Sequence, residues 1–319
     1  MKQKSISLIV GVIVLAILTV FVIDFVSKRP DKLGDNPYAY SVDEYKKVDP
    51  ELIHYKETRN IPVTGYTPGA IDVMDGNIWL CGENTLQVID MNGIQKVRKS
   101  IEGKGIAILF NGESLFIAFE DHISRYSPQG DLIKKWETPG LNCVFTSLAV
   151  KDNTLYVADA GNRRVIRYDL EGNILGEFEG KAESAAGHGF IIPSPNFDIV
   201  VNEFGELWAV NPGKHAIENY SDIGEMRGFW QNSSMNIEGF TGCCNPAEIA
   251  VMENGDFVTS EKGLVRIKVY DSSGKLKSVV APPEKFNEEG EAPEVAVDKS
   301  DVIYALDFDR SLIRIYEKI

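Results

Sequence analysis

Histidine and cysteine are scarce in this chain, with four of each among 319 residues. His54, His122, His188 and His215 form no H-x-x-x-H or equivalent pair, so a histidine-built metal centre is not expected. No C-x-x-C-H segment offers haem attachment, no phosphate-cradling glycine loop is present, and no Ser-His-Asp set stands out from chance. Blocks of Lys and Arg are missing too. Against 47 acidic residues stand 33 basic ones, giving a net charge of −14 and a pI near 4.9. A chain of that sign is a poor neutraliser of phosphate, which argues against a nucleic-acid partner. From about residue 54 onward the helical period is absent as well, and short alternating runs punctuated by Gly, Asn and Asp replace it.

What is present begins with an apolar run. Residues 6–23 carry no ionisable side chain and are mostly Ile, Val and Leu. As a helix, residues 6–26 span about 30 Å, one hydrocarbon core. Asp24 falls in the last turn, at headgroup depth, where its carboxylate costs little. The alternative is a cleaved signal peptide, but the run exceeds the usual length of about 7–15 residues and no small-x-small site follows. No nearby cysteine offers lipid attachment either. Residues 1–27 are therefore expected to form an uncleaved single-pass anchor. Lys2 and Lys4 nearly balance Lys28, Arg29 and Lys32, so orientation rests on the short tail staying in the cytoplasm. That places the rest on the periplasmic or extracellular side of the inner (cytoplasmic) membrane. Residues 28–53 are charged and broken by Pro30, Pro37 and Pro50, as a linker is. Ser41 and Glu44 sign one short helix within it.

Residues 54–319 contain a repeat. Tyr126, Tyr168, Tyr220, Tyr270 and Tyr316 each close an apolar run, "ISRY", "VIRY", "AIENY", "RIKVY" and "IRIY", about 40–50 residues apart. Four residues after each of the first four stands a glycine: Gly130, Gly172, Gly224 and Gly274. An earlier copy, "LQVIDMNG", has Ile89 in the tyrosine's place and Gly93 four later. A glycine fixed in each turn is what a hairpin position with positive φ demands. Four short antiparallel strands per unit, six times over, predict an all-β, six-bladed β-propeller. The sixth copy stops at "IYEKI", one strand short, and "YKETRNIPV" (55–63) is placed to supply it and close the ring.

The segment "NTLYVADAGNRRVIRYDLEGNILGEF" (153–178) resembles an NHL repeat. Over residues 140–319, "GFIIPSPNFDIVV", "LWAVNPGKHAIENY", "GCCNPAEIAV" and "VTSEKGLVRIKVYD" are similar to membrane-anchored bacterial propeller proteins carrying a GCCNP segment. The NHL resemblance implies a binding or scaffolding module more readily than an enzyme. The amidating-lyase relatives of that family are built around several metal-binding histidines, which this chain does not supply.

Aligning the copies by their tyrosines puts Asp159, Asn211, Glu261 and Asp307 at one equivalent position, the end of the second strand. Gly82 and Phe119 stand near it in the first two blades. Four oxygen-bearing side chains around a funnel could hold Ca²⁺, as in lactonase-like propellers. Equally, each can accept backbone N–H bonds within its own blade. Arg163, Arg164, Arg266 and Arg310 follow in the same loops, available to those carboxylates or to an acidic ligand.

Cys81, among apolar neighbours, reads as a small buried hydrophobe. Aligning "CVFTSLAV" with "CNPAEIAV" makes Cys143 and Cys244 equivalent, just before an innermost strand and hence on the funnel face. Four readings of the cysteines stay open: packing, a reactive or ligand-contacting thiol, a vicinal Cys243–Cys244 disulfide, and a disulfide from Cys143 to Cys244. A metal held by both adjacent thiols is disfavoured, because successive side chains of extended backbone point to opposite sides. Asn245 and Pro246 suit a turn that shapes the strand entry.

These readings lead to a membrane-anchored, non-catalytic module that docks a protein partner on the funnel face. Its candidate contacts are Cys143, Cys243, Cys244, Asn245, His188, His215, Arg164 and Arg266, with "GFIIPSP" (189–195) adding exposed apolar surface. The alternative is a metal- or thiol-dependent propeller enzyme, hydrolase-like or redox, using the same funnel. Deleting residues 54–63 is expected to abolish cooperative thermal unfolding of the propeller. A deletion variant with an unchanged melt would show that the ring closes without that strand.

Overall fold

The computed structural model describes residues 2–27, 43–178 and 189–319, and the chain divides into two units, Met1–Glu44 and Tyr45–Ile319. The first contains a helix, α1 (Lys2–Ser27), over the apolar run. Among the described residues, no helix is long and apolar enough to cross a membrane. A one-turn helix, α2 (Asp43–Lys46), begins just after the Ser41 capping signal, and Ser41 itself lies outside the described residues.

The second unit is a six-bladed propeller. It opens with β1 (Tyr55–Pro62). Blade one holds β2 (Pro68–Met74), β3 (Asn77–Asp90) and β4 (Gln95–Lys104). Its β3 runs on through Asn84, at φ +52°, so the expected end of a second strand at Gly82 is not an end. The first half of β3 pairs with β2 and the second half with β4. Blade two is β5 (Ala107–Phe110), β6 (Leu115–Ala118), β7 (Ile123–Tyr126) and β8 (Leu132–Lys135). Blade three is β9 (Phe145–Lys151), β10 (Thr154–Asp159), β11 (Arg164–Asp169) and β12 (Ile174–Phe178). Blade four is β13 (Ile199–Val201), β14 (Leu207–Asn211), β15 (Ala216–Tyr220) and β16 (Met226–Gln231). Blade five is β17 (Glu248–Val251), β18 (Phe257–Glu261), β19 (Arg266–Tyr270) and β20 (Leu276–Ala281). Blade six is β21 (Glu294–Val297), β22 (Ile303–Asp307), β23 (Leu312–Lys318) and, as its outer strand, β1.

β1 and β23 pair antiparallel from Tyr55 opposite Lys318 to Pro62 opposite Leu312, joining the two ends of the unit in one sheet. Arg314 reinforces the seam with a 2.7 Å ion pair to Glu57. The innermost strands β2, β5, β9, β13, β17 and β21 each touch the next, and β21 returns to β2. The core lies between blades as five apolar clusters. Each repeat tyrosine is buried in the cluster shared with the preceding blade, and Ile89 takes that place in blade one. Trp136 packs on Tyr168 at 5.2 Å between centroids, Phe178 on Tyr220 at 5.2 Å and Trp230 on Tyr270 at 5.1 Å. The outer strand of one blade, or the residue just after it, thus meets the third strand of the next.

The repeat glycine serves both the turn and this contact. Gly224 has φ +92°, and a Cβ there would lie 2.2 Å from the Phe178 ring. Gly76 is a useful contrast, with φ +69° but no heavy atom within 4 Å of a Cβ. Gly76→Ala should cost about 1 kcal/mol, the backbone penalty alone. Gly224→Ala should add about 1–3 kcal/mol of overpacking. Denaturant midpoints will check this, and equal losses would show that the blade contact does not limit the position.

Candidate functional site

The four residues aligned at the end of the second strand lie on one face, but each is engaged inside its own blade. Asp159 is fully buried and accepts from the backbone N–H of Val144 (3.1 Å) and Asn162 (3.2 Å), from Asn162 Nδ2 (2.8 Å) and from Arg164 Nε (2.9 Å). Arg164 also reaches Glu177 at 2.6 Å and Cys143 Sγ at 3.7 Å. Asn211 accepts from Ile191 N–H and donates to Gly189 C=O and to Glu218. Glu261 binds Arg266 (2.8 Å) and Lys268 (2.8 Å), all three without exposed side-chain surface. Burial pulls the Lys268 ammonium down to about 7, against the pull of Glu261. Asp307 holds Arg310 at 2.9 Å and Arg314 at 3.3 Å. The residues that matched in sequence therefore clamp second strand to third or to the loop between them. Among the described residues, no group of three His, Cys, Asp or Glu gathers as a metal ion would need.

The remaining candidates divide. Arg164 and Arg266 are held by carboxylates of their own blades, so neither is presented to an acidic ligand as a lone cation. His188 lies outside the described residues. His215 sits at φ +53° and bridges two loops, Nδ1 to Ser233 Oγ at 2.7 Å and Nε2 to Gly242 C=O. The carbonyl needs a donor, so Nε2 carries the proton and Nδ1 accepts from the serine hydroxyl. Cys81 is buried, as expected of a packing residue. Cys143 is buried too, and desolvation followed by the nearby Asp159 charge pushes its thiol up. Within "GFIIPSP", Phe190 and Ile192 are core residues and Ile191 is the exposed aliphatic. The loop offers less apolar surface than its composition suggests.

Adjacent thiols do not point apart here. Cys243 is exposed, Cys244 is buried, and their sulfurs lie 3.1 Å from each other on one side of the loop. Gly242, at φ +71°, turns the chain just before them, so the alternation of extended backbone does not apply. Asn245 fastens the turn, donating to Thr241 C=O (2.7 Å) and Lys262 C=O (3.1 Å) and accepting from Lys262 N–H (2.9 Å).

A second polar set, not anticipated from the sequence, lines the axis. Ser147, Asp198, Glu248 and Glu294 stand at equivalent positions of four consecutive innermost strands, and Asp72 joins them from blade one. They surround a cavity of about 290 Å³. Asp72 accepts from Phe110 N–H at 2.7 Å, Asp198 from Ile249 N–H at 2.7 Å and Glu294 from Ile71 N–H at 2.9 Å, each in the next blade. Burial pushes Asp72 and Asp198 up to about 6. Glu248 and Glu294 rise well above the usual carboxylate range, first by burial and then by neighbouring carboxylates. The contact between the two side chains raises Glu248 further and acts to lower Asp198. Both glutamates are half-buried and line the cavity. The sequence signal was a polar residue opening "SLAV", "DIVV", "EIAV" and "EVAV".

No protein-family model matches the chain, and no curated protein matches it in sequence. Solved structures do match in shape. Virginiamycin B lyase from Staphylococcus aureus aligns over 83% of this chain and 100% of its own, at 15% identity and a TM-score of 0.59. A streptogramin B lyase aligns over 83% and 97%, at 13% identity and 0.57. The WD40 propeller domain of Doa1 aligns over 79% of each chain, at 14% identity and 0.55. Identities this low establish the propeller fold and nothing finer. These matches do not confirm the NHL assignment or the kinship with GCCNP-bearing proteins.

The axial carboxylates generate a pH test. Glu248 binds its proton more tightly folded than unfolded, so its stabilising share is complete below its ordinary value of 4.5 and is lost as pH rises through the raised one. Glu248→Gln should therefore melt close to the parent at about pH 4 and above it at about pH 8. A melting difference that does not change with pH would show that Glu248 does not hold its proton more tightly in the folded protein.

Proposed function

We propose that this propeller is a non-catalytic protein-binding or complex-assembly module, held at the membrane by residues 6–26 and facing the periplasm or the cell exterior. One observation carries the binding reading. On the face where loops enter the innermost strands, Asp159, Asn211, Glu261 and Asp307 are all engaged internally, while Leu141 stands 86% exposed and Ile191 46% exposed. A face whose polar groups are satisfied from within, with aliphatic side chains at its loop tips, suits contact with another protein surface better than coordination or acid–base chemistry. The apolar composition of residues 6–26 supports the anchor.

Photo-crosslinking residues placed singly at 141 and 191 of the full chain, in intact cells, test the reading. Both positions should yield the same discrete adduct, and Leu141→Asp should remove the adduct formed from 191. A crosslinker at Asp75, exposed at the opposite end of the innermost strand of blade one, serves as the control. No adduct from either loop, or identical adducts from both faces, would overturn the proposal.

A further inference from the structure

The segment around Cys243 and Cys244 is built more elaborately than packing requires. The two sulfurs are 3.1 Å apart, the first exposed and the second covered. Lys262 enters from the loop after β18, and its Nζ donates to Ser194 Oγ (2.9 Å) and Asn196 Oδ1 (3.4 Å). Burial alone would raise the Cys244 thiol, but hydrogen bonds from Ser194 and Cys243, with the Lys262 charge, outweigh it and lower it below the usual thiol value. Cys243 is raised in turn, because its proton is shared with the Cys244 sulfur. The pair therefore carries one negative charge more readily than two separate thiols would. Three elements converge to hold this arrangement. Asn245 ties the segment to Lys262, His215 binds Gly242 C=O from blade four, and Ser194 comes from the long loop between blades three and four.

We propose that Cys243 and Cys244 form a dithiol exchange site that reduces an accessible disulfide. The pair starts with a single proton, resting on Cys243 and hydrogen-bonded to the Cys244 thiolate; as that proton crosses to Cys244, the exposed Cys243 sulfur attacks one sulfur of the substrate disulfide R–S–S–R and expels the first thiolate. That thiolate takes up the remaining proton. Cys244, left as a thiolate beside Lys262, then attacks the Cys243 sulfur and expels the second thiolate, which solvent protonates. Two protein thiols become one Cys243–Cys244 disulfide, and R–S–S–R becomes two R–SH, so two electrons pass from protein to substrate. The sulfurs need to close by about 1 Å to bond. A ring formed by adjacent residues is strained, so the oxidised pair returns easily to the dithiol with a reducing thiol present. This chemistry goes beyond docking a partner and does not depend on it.

The aromatic disulfide dithiodipyridine, reacted with the purified full chain in detergent, tests the proposal, because its released thione is coloured and drives each step forward. The unaltered chain should release two thiones per exchange site and end with the 243–244 peptide lighter by two hydrogens and free of adduct. Cys244→Ser should release one thione and retain the pyridyl adduct on Cys243. Cys243→Ser should slow the reaction at this site about tenfold or more, since the remaining thiol is covered. Lys262→Met keeps both thiols and should slow both thione releases, the second about tenfold, because Cys244 then attacks without the neighbouring charge. A stable adduct on Cys243 in the unaltered chain would overturn the proposal. So would a second step indifferent to Lys262→Met, or reaction at Cys81 and Cys143 as fast as at Cys243.

Discussion

Everything in this propeller depends on how six sheets that share no strand-to-strand ladder are held in a ring. Neighbouring innermost strands converge on the axis without pairing, so their backbone groups there need partners from elsewhere. The molecule answers with at least one link at every junction. Asp72 takes Phe110 N–H, Phe145 N–H reaches Glu120 C=O, and Ser147 takes Ile199 N–H. Asp198 takes Ile249 N–H, Ser260 donates to Pro293 C=O, and Glu294 takes Ile71 N–H, which completes the circuit. Each carboxylate link stabilises by about 1.5–3 kcal/mol where the acceptor is ionised. The cost is a set of acids packed closely enough around one cavity to resist ionising together.

The same economy operates at the rim. Second-strand carboxylates satisfy backbone N–H groups and third-strand cations within a blade, most completely in the buried set of Glu261, Arg266 and Lys268. Breaking a buried pair leaves an uncompensated charge worth about 3–5 kcal/mol, so these clusters are constrained by stability before any ligand is considered. Residue types that look like a ligand set in an alignment are, on this face, the internal bracing of four separate blades. That is why side chains without such duties, Leu141, Ile191 and Cys243, carry the functional argument.

How far the sequence could be read follows from the distance between a residue and its cause. Tyr168 and Gly172 were legible because both answer to local rules: a tyrosine ends an apolar strand, and a glycine takes a turn with φ +89°. The axial carboxylates obey no local rule. The partner of Asp198 is the amide of Ile249, about fifty residues away across a blade junction, so Asp198 looks like any polar residue before a strand. Phe190 and Ile192 misled for a related reason. A loop rich in proline suggests surface, and only the neighbouring blades reveal that two of its side chains enter the core. For Cys243 and Cys244 the alternation rule was sound but misapplied, since it presumes extended backbone and Gly242 breaks the extension.

Cys243 differs from every other candidate in one further respect. Asp159, Glu261 and Asp307 cannot be changed without disturbing bracing, and Cys244 is packed into its loop. Cys243 is exposed, and its sulfur meets the adjacent Cys244 sulfur. The turn that carries it is fixed by Asn245, His215 and Gly242, none of which needs a thiol at position 243. The scaffold therefore accounts for the position of the side chain and leaves its chemistry unexplained. Where stability gives no reason for a residue type, and a charged neighbour tunes the group it touches, reactivity is the property left to account for the sulfur.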